Sequence, residues 1–186
     1  MNIFALSKCP VESAQQMLDK HIVKMPTETC QMLHTNELFF AFVKLYGYEP
    51  SLKELKQFHT DMRPKKKAHG LLMKPAMLNH PSTIWARESP ANFKWLYDHA
   101  TAMCEEYTYR YGRIHASEKK FRGRLEKPPE KIANIITWRE PPQCMPEECK
   151  VEGDSILAYR QYYKKYKIGF SRKQDYLKRE RPTWLD

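Results

Sequence analysis

The chain has 186 residues, of which 41% are hydrophobic and 29% are charged, and its formal net charge is +10. These values are typical of a globular protein with one domain or two small lobes. No apolar run approaches the ~20 residues that span a bilayer, and Met1 to Leu6 lacks the basic region and long apolar segment of a secretory signal. We therefore expect a cytoplasmic protein with no membrane partner. The five cysteines are odd in number and scattered, which favours reduced thiols over disulfides.

The positive charge is clustered. From Ala158 to the last residue there are nine Lys or Arg against three Asp or Glu, with tyrosines and Trp184 interleaved. Two further basic clusters lie at 63–67 and 119–124. Clustered cations attract phosphates and interspersed rings can stack on bases, so the pattern favours a nucleic-acid partner. The alternative is a basic surface that serves solubility.

The first half of the chain alternates helical segments with turns. Alternating β-branched segments are nearly absent, so the sequence predicts an all-α protein, a single compact helical domain over 1–186. A first helix is predicted from Pro10 or Val11 to about Leu33. One or two helices through 36–46 and 51–62 follow, and then a basic loop over 61–70.

The second half contains the most strongly marked helix. Ser89 is a good N-cap, Pro90 suits the first helical position and Gly112 is a natural stop. A long proline-rich irregular segment is predicted over 113–153. Asp154 then caps a basic and aromatic C-terminal helix, assigned to 154–186, whose regular part is expected to reach residue 170 or 178.

One stretch of the first helix carries candidate chemistry. His21, Lys24 and Glu28 share one helical face, because three, four and seven residues correspond to about one and two turns. An imidazole, an ammonium and a carboxylate on one stripe suit proton transfer. Pro26 predicts a kink before Glu28 that would aim it into a cleft, or a break between two helices. The alternative is an ordinary solvated face held by i,i+4 pairs.

A second candidate is the segment Asn79-His80-Pro81. Proline favours an extended conformation at His80, which would place the ring at the entrance to the next helix. There it could meet a ligand, or it could satisfy a backbone group of the helix; the sequence leaves both open.

Several chemistries have no support in the sequence. There is no glycine-rich phosphate loop, dinucleotide fingerprint or serine nucleophile elbow. Cys144 and Cys149 lack a second pair, so we expect neither a metal site nor a cofactor. An enzyme acting on nucleic acid would then use metal-free acid/base or amine chemistry.

Motifs along the chain resemble the phage pyrimidine-dimer DNA glycosylase family, the endonuclease V of ultraviolet repair. Asp19-x-His21 with Glu28 seven residues beyond resembles the family's first helix, and His80-Pro81 followed by Arg87 resembles its His-Pro motif. The segment 106–112 and the tail 181–184 are similar to the end of its central helix and to its aromatic tail.

The resemblance implies an all-helical enzyme that binds duplex DNA and flips a base. In the family an N-terminal α-amine attacks C1′ and forms a Schiff base, while a glutamate assists glycosyl cleavage and later strand β-elimination. Glu28 corresponds to that glutamate, and His21 would orient it or contact DNA. The amine would be that of Met1 or Asn2. Asn2 is large for removal of the initiator methionine, which leaves two alternatives: a retained Met1 whose amine is the nucleophile, or loss of the amine route. A phage gene is one possible origin.

The resemblance and the charge pattern together suggest a set of DNA contacts. The predicted nucleic-acid-binding residues are Lys24, His80, Arg87, Lys65, Lys66, Lys67, Lys173, Arg181 and Trp184. Thr27 and Gln31 stand where phage members carry phosphate-facing arginines, which leaves the identity of the lesion open. The alternatives are a non-catalytic nucleic-acid-binding protein and a metal-dependent nuclease.

Overall fold

The computed structural model describes residues 2–62, 73–130, 132, 137–168 and 175–186. These residues form helices joined by turns and irregular segments, and none of them lies in a β-strand, which confirms the all-α prediction. The α-helices are α1 (Pro10–Gln15), α2 (Asp19–Tyr46), α3 (Leu52–Asp61), α4 (Pro81–Glu88), α5 (Pro90–Tyr111), α6 (Glu118–Phe121) and α7 (Ser155–Tyr166). Within the described ranges, no helix is long and apolar enough to cross a membrane.

The start of the chain differs from the single helix predicted over 10–33. The chain leaves the helix after Gln15 and α2 begins at Asp19, because the guanidinium of Arg110 binds the carbonyl oxygens of Gln15 and Met17, which a continuous helix would use itself. The predicted break at Pro26 does not occur, since α2 continues through it to Tyr46. A kink at this proline stays a prediction.

Local capping sets three helix ends as predicted. The hydroxyl of Ser89 accepts the N–H of Asn92 at the start of α5, and the carboxylate of Asp154 accepts that of Leu157 at the start of α7. Gly112 ends α5 at φ +66°, in the left-handed region where glycine pays no Cβ penalty.

The core lies between α2 and α5. Helices α1 and α4 pack against α5, and α4 also packs against α2. Residues 3–6 belong to no helix and are buried in this core; Ile3 and Leu6 have no exposed surface. A smaller apolar cluster joins the second half of α2 to α3. The consequence for function is that residues 2–6 are held inside the fold.

The described part of the segment 113–153 is irregular as predicted, apart from α6 and a 3₁₀ turn over Glu147–Cys149. The predicted C-terminal helix over 154–186 is too long: α7 ends at Tyr166, and a 3₁₀ turn over Thr183–Leu185 closes the chain. The tail backbone binds the start of α2 instead of forming its own helix, because Asp19 N–H donates to the Asp175 carbonyl and its carboxylate accepts the N–H of Leu177.

A buried charge network links these parts. The side chain of Arg110 is fully buried and donates to Glu106 at 2.7 Å and to Asp19 at 2.8 Å. Arg179 from the tail donates to both oxygens of Glu106, at 2.9 and 2.8 Å. Two guanidinium groups and two carboxylates balance, so the network ties the start of α2, the end of α5 and the tail together without a net buried charge.

Candidate active site

One cleft gathers most of the predicted catalytic residues; we call it the Glu28 cleft. It encloses about 470 Å³ between the N-terminal segment, the first turns of α2, the loop at Cys144 and the end of α7. Its lining residues are Asn2, Phe4, Leu18, Lys20, His21, Lys24, Met25, Glu28, Cys144, Tyr162, Tyr166 and Lys167.

The stripe on α2 faces this cleft. His21, Lys24 and Glu28 all line it, as expected from their spacing over two turns. Glu28 is mostly covered, with a side chain 19% exposed, and its Oε1 lies 3.0 Å from Nζ of Lys24, whose side chain is 65% exposed. The carboxylate is therefore held at the cleft wall, with one ammonium on its solvent side.

The N-terminal segment brings Asn2 to the same cleft. Its carboxamide Nδ2 donates to the carbonyl of Cys144 at 2.8 Å, and its Oδ1 accepts the N–H of Ile3 at 2.8 Å. Asn2 is only 8% exposed, so its side chain acts as a clip between the start of the chain and the 144 loop. Met1, the other predicted amine, lies outside the described residues.

Phe4 turns the chain into the cleft. It has φ +51°, a conformation that costs a non-glycine residue about 1–2 kcal/mol, and the packing of its ring offsets that cost. The ring stacks on His21 with centroids 4.3 Å apart and lies nearly parallel to Tyr162 at 6.1 Å. The Phe4 ring therefore holds the rings of His21 and Tyr162 in place.

His21 is a neutral group in this structure. Burial, followed by the charges of Lys167, Lys20 and Lys24, lowers the pKa of His21 to about 3. Its Nδ1 is hydrogen bonded to the hydroxyl of Tyr163, which is buried and also bonds the backbone of Leu18. The Tyr163 proton then points to Nδ1, which leaves Nε2 as the N–H side of the ring.

The His-Pro motif lies beside the cleft rather than in its lining. His80 is extended as predicted and its Nδ1 accepts the N–H of Ser82 at 3.1 Å, so it caps α4. The Ser82 hydroxyl lies 3.6 Å from the Cys144 sulfur, which does line the cleft. Arg87 is turned away: it donates to the Leu78 carbonyl and lies 4.5 Å over the Phe39 ring.

Two further predicted DNA contacts, Trp184 and Arg181, do not line the cleft. Trp184 donates to Gln16 at 2.9 Å and packs edge-on against Tyr163, so it supports the ring behind His21. Arg181 donates to the Leu185 carbonyl within the tail. The predicted contacts Lys65, Lys66, Lys67 and Lys173 lie outside the described residues. All of these contacts with DNA stay predictions.

Sequence reasoning missed part of the cleft. The lining residues Phe4, Lys20, Cys144 and Lys167 are not among the predicted site residues. The aromatic residues interleaved with the C-terminal cations are the sequence signal for the tyrosines of α7, and nothing local marks Cys144. Among the residues that the structure describes, no group of three His, Cys, Asp or Glu side chains could hold a metal ion.

The family model for pyrimidine dimer DNA glycosylase matches residues 1–119. The match includes the N-terminal segment, the α2 stripe and the His80 turn, and it ends before the 144 loop and α7. No curated protein and no solved structure shows significant similarity to the chain. Because the matched region covers more than half of its length, the chain belongs to the pyrimidine dimer DNA glycosylase family, and DNA is its partner.

Proposed function

We propose that this protein removes a damaged or modified pyrimidine from duplex DNA and then cuts the strand as an AP lyase. The observation that carries the proposal is that Asn2 and Glu28 line the same cleft. An α-amine carried by residue 1 or residue 2 would lie within one residue of Asn2. An amine nucleophile and a carboxylate would then reach one sugar, which is the pair that this chemistry needs.

The reaction would proceed in two stages. The neutral amine attacks C1′ as the C1′–N bond to the base breaks, and the departing base takes a proton from solvent. A proton then moves from the new ammonium to O4′ as the C1′–O4′ bond breaks, which leaves a protonated Schiff base. Removal of a C2′ proton then breaks the C3′–O bond and expels the 3′ phosphate. An α-amine has a pKa near 8, so about a tenth is neutral at pH 7.

Glu28 would serve both stages. Its carboxylate can stabilise the oxocarbenium-like C1′ centre while the base leaves, and it can accept the C2′ proton afterwards. Its largely covered position on α2 supports this role, because charge stabilisation is stronger where water is excluded.

His21 would act as a neutral group. A pKa of about 3 leaves its ring uncharged at neutral pH, so it cannot be the proton donor there. Its Nε2 side can instead donate a hydrogen bond to DNA or to Glu28. The Tyr163 hydroxyl and the Phe4 ring would hold it in that orientation.

The cleft would receive a nucleotide turned out of the duplex. Glycosylases must extrude a base to reach C1′, and pockets for small ligands usually enclose about 300–1,000 Å³. The volume of about 470 Å³ falls in this range. The rings of Tyr162 and Tyr166 at its edge would offer stacking surfaces.

Borohydride trapping tests the mechanism. The protein is incubated with a duplex carrying a cyclobutane pyrimidine dimer or an abasic site, reductant is added, and a covalent adduct is sought; intact mass identifies the N-terminal residue. We expect an adduct with both duplexes and a large loss of strand cleavage in Glu28→Gln. The matched control is Glu37→Gln, a carboxylate of the same helix that lines a different cleft.

Three results would overturn the proposal. The first is no adduct with either duplex from protein whose N-terminal amine is free. The second is salt-sensitive DNA binding with no cleavage and no effect of Glu28→Gln, which would identify a non-catalytic binding protein. The third is cleavage that a chelator abolishes, which would identify a metal-dependent nuclease.

A further inference from the structure

Three lysines surround the Glu28 cleft. Lys20 and Lys24 are one turn apart on α2, and Lys167 is the residue after the last turn of α7. Glu28 is the one carboxylate among the described residues of the lining, so these four side chains give the cleft a net positive charge of two.

Two of these ammonium groups are not neutralised within the protein. Lys24 pairs with Glu28, but no ion pair with a carboxylate joins Lys20 or Lys167 in the part of the chain that the structure describes. Lys167 is instead held over a ring, with its Nζ 4.4 Å from the centroid of Tyr162. The ring attracts the ammonium through its quadrupole and does not neutralise its charge, because the ring has no net charge.

Thr27 and Gln31 stand at the two positions where the resemblance would predict phosphate-binding arginines, and both make other contacts. The Thr27 hydroxyl lies 3.0 Å from that of Ser117, and the Gln31 carboxamide donates to the Lys74 carbonyl at 3.2 Å. Both side chains are neutral and hydrogen bonded within the protein. The charge that neutralises phosphates at this cleft must therefore come from other residues.

We propose that Lys20, Lys24 and Lys167 bind the DNA phosphates that flank the damaged nucleotide, and so form a phosphate clamp from two helices. The clamp rests on the proposed function for its location at the damaged nucleotide. Cations on both α2 and α7 would hold the backbone on two sides of the cleft while the nucleotide between them enters it. Backbone contacts of this kind position DNA without reading its sequence.

Binding to a duplex with a tetrahydrofuran abasic analogue tests the clamp. This sugar lacks the C1′ hydroxyl and cannot form a Schiff base, so binding is measured without chemistry. Fluorescence anisotropy at 50–200 mM NaCl compares Lys20→Gln and Lys167→Gln with Lys53→Gln, an exposed lysine on α3 that does not line the cleft. Lys24 is left unchanged because it pairs with Glu28.

Each lost phosphate contact should reduce the slope of log affinity against log salt by about 0.9, which lowers affinity about eightfold at 0.1 M salt. Lys20→Gln and Lys167→Gln should show this loss, and Lys20→Arg should restore it. The loss should be smaller on the undamaged duplex of the same sequence.

Equal slopes in the two cleft variants and Lys53→Gln would overturn the clamp, and equal losses on damaged and undamaged duplexes would overturn its position at the lesion. The trapping experiment separates this result from the enzyme mechanism. If wild-type protein gives no adduct while the slopes of log affinity against log salt change as expected, the phosphate clamp is supported and the amine mechanism is refuted.

Discussion

Replacing Arg110 by methionine should destabilise the protein far more than replacing a surface arginine with similar ion pairs. Methionine retains an unbranched apolar side chain but removes every donor of the guanidinium. Four hydrogen bonds are lost, to Glu106, Asp19 and the carbonyls of Gln15 and Met17. Asp19 keeps the N–H of Leu177 and Glu106 keeps Arg179 as donors, but the negative charge of each carboxylate is less well compensated once Arg110 is lost.

The magnitude follows from burial. Breaking a buried ion pair by removing one partner costs about 3–5 kcal/mol. At about 2–4 °C per kcal/mol for a chain of this size, the Tm should fall by about 6–20 °C. Because Asp19 opens the helix that carries Glu28, the proposed AP-lyase activity should fall with the Tm.

Thermal unfolding followed by circular dichroism at 222 nm measures the effect, with Arg122→Met as the matched control. Arg122 also binds two carboxylates, Glu105 and Glu118, but its side chain is 45% exposed. Each exposed pair contributes at most about 1 kcal/mol, so losing both should shift the Tm by no more than about 8 °C. Equal shifts in the two variants would refute the reasoning from burial.

Three further predictions concern pH, the N-terminal clip and the ring behind His21. Burial lowers the folded-state pKa of three histidines to about 3 or 4; they are His21, His34 and His99. Below pH 6.5 these histidines bind a proton in the unfolded chain but not in the fold, so the free energy of unfolding decreases as the pH falls toward 4. The decrease is about 2 kcal/mol for each histidine at pH 5, and a Tm unchanged between pH 7.5 and 5 would contradict this prediction. Asn2→Leu, which keeps residue 2 large but removes both bonds of the clip, should slow borohydride trapping on abasic duplex about tenfold, with Asn2→Asp intermediate; equal rates would show that the clip does not position the amine. Tyr163→Phe should leave Nδ1 of His21 without its donor, lower stability by about 1–3 kcal/mol in a denaturant titration and reduce trapping, and no change in either measurement would count against the assigned hydrogen bond.

Local chemistry explains which parts of the structure were predictable. Ser89, Gly112 and Asp154 act on backbone groups within four residues of themselves, so their effect is visible in the sequence. The shared face of His21 and Glu28 follows from helix periodicity alone. The length of the C-terminal helix was wrong because the tail binds Asp19, a partner more than 150 residues away.

The predicted break at Pro26 failed for a related reason. Proline removes one backbone hydrogen bond, but the apolar side of α2 is buried on both sides of it, with Met25 and Cys30 at 1% and 0% exposed. Packing of these side chains against the core stabilises the continuous helix more than one lost bond destabilises it.

The sequence by itself determined the all-α class, both ends of α5 and the N-cap of α7, the basic character and the α2 stripe, because each depends on composition or on neighbours within a few residues. Only the tertiary structure decided that Asn2, Cys144 and Lys167 meet at Glu28. Their contacts join residues about 140 positions apart, and no local propensity encodes such a distance. The environment of His21 was decided in the same way, since burial against Phe4 and Tyr163 turned a titratable ring into a neutral one.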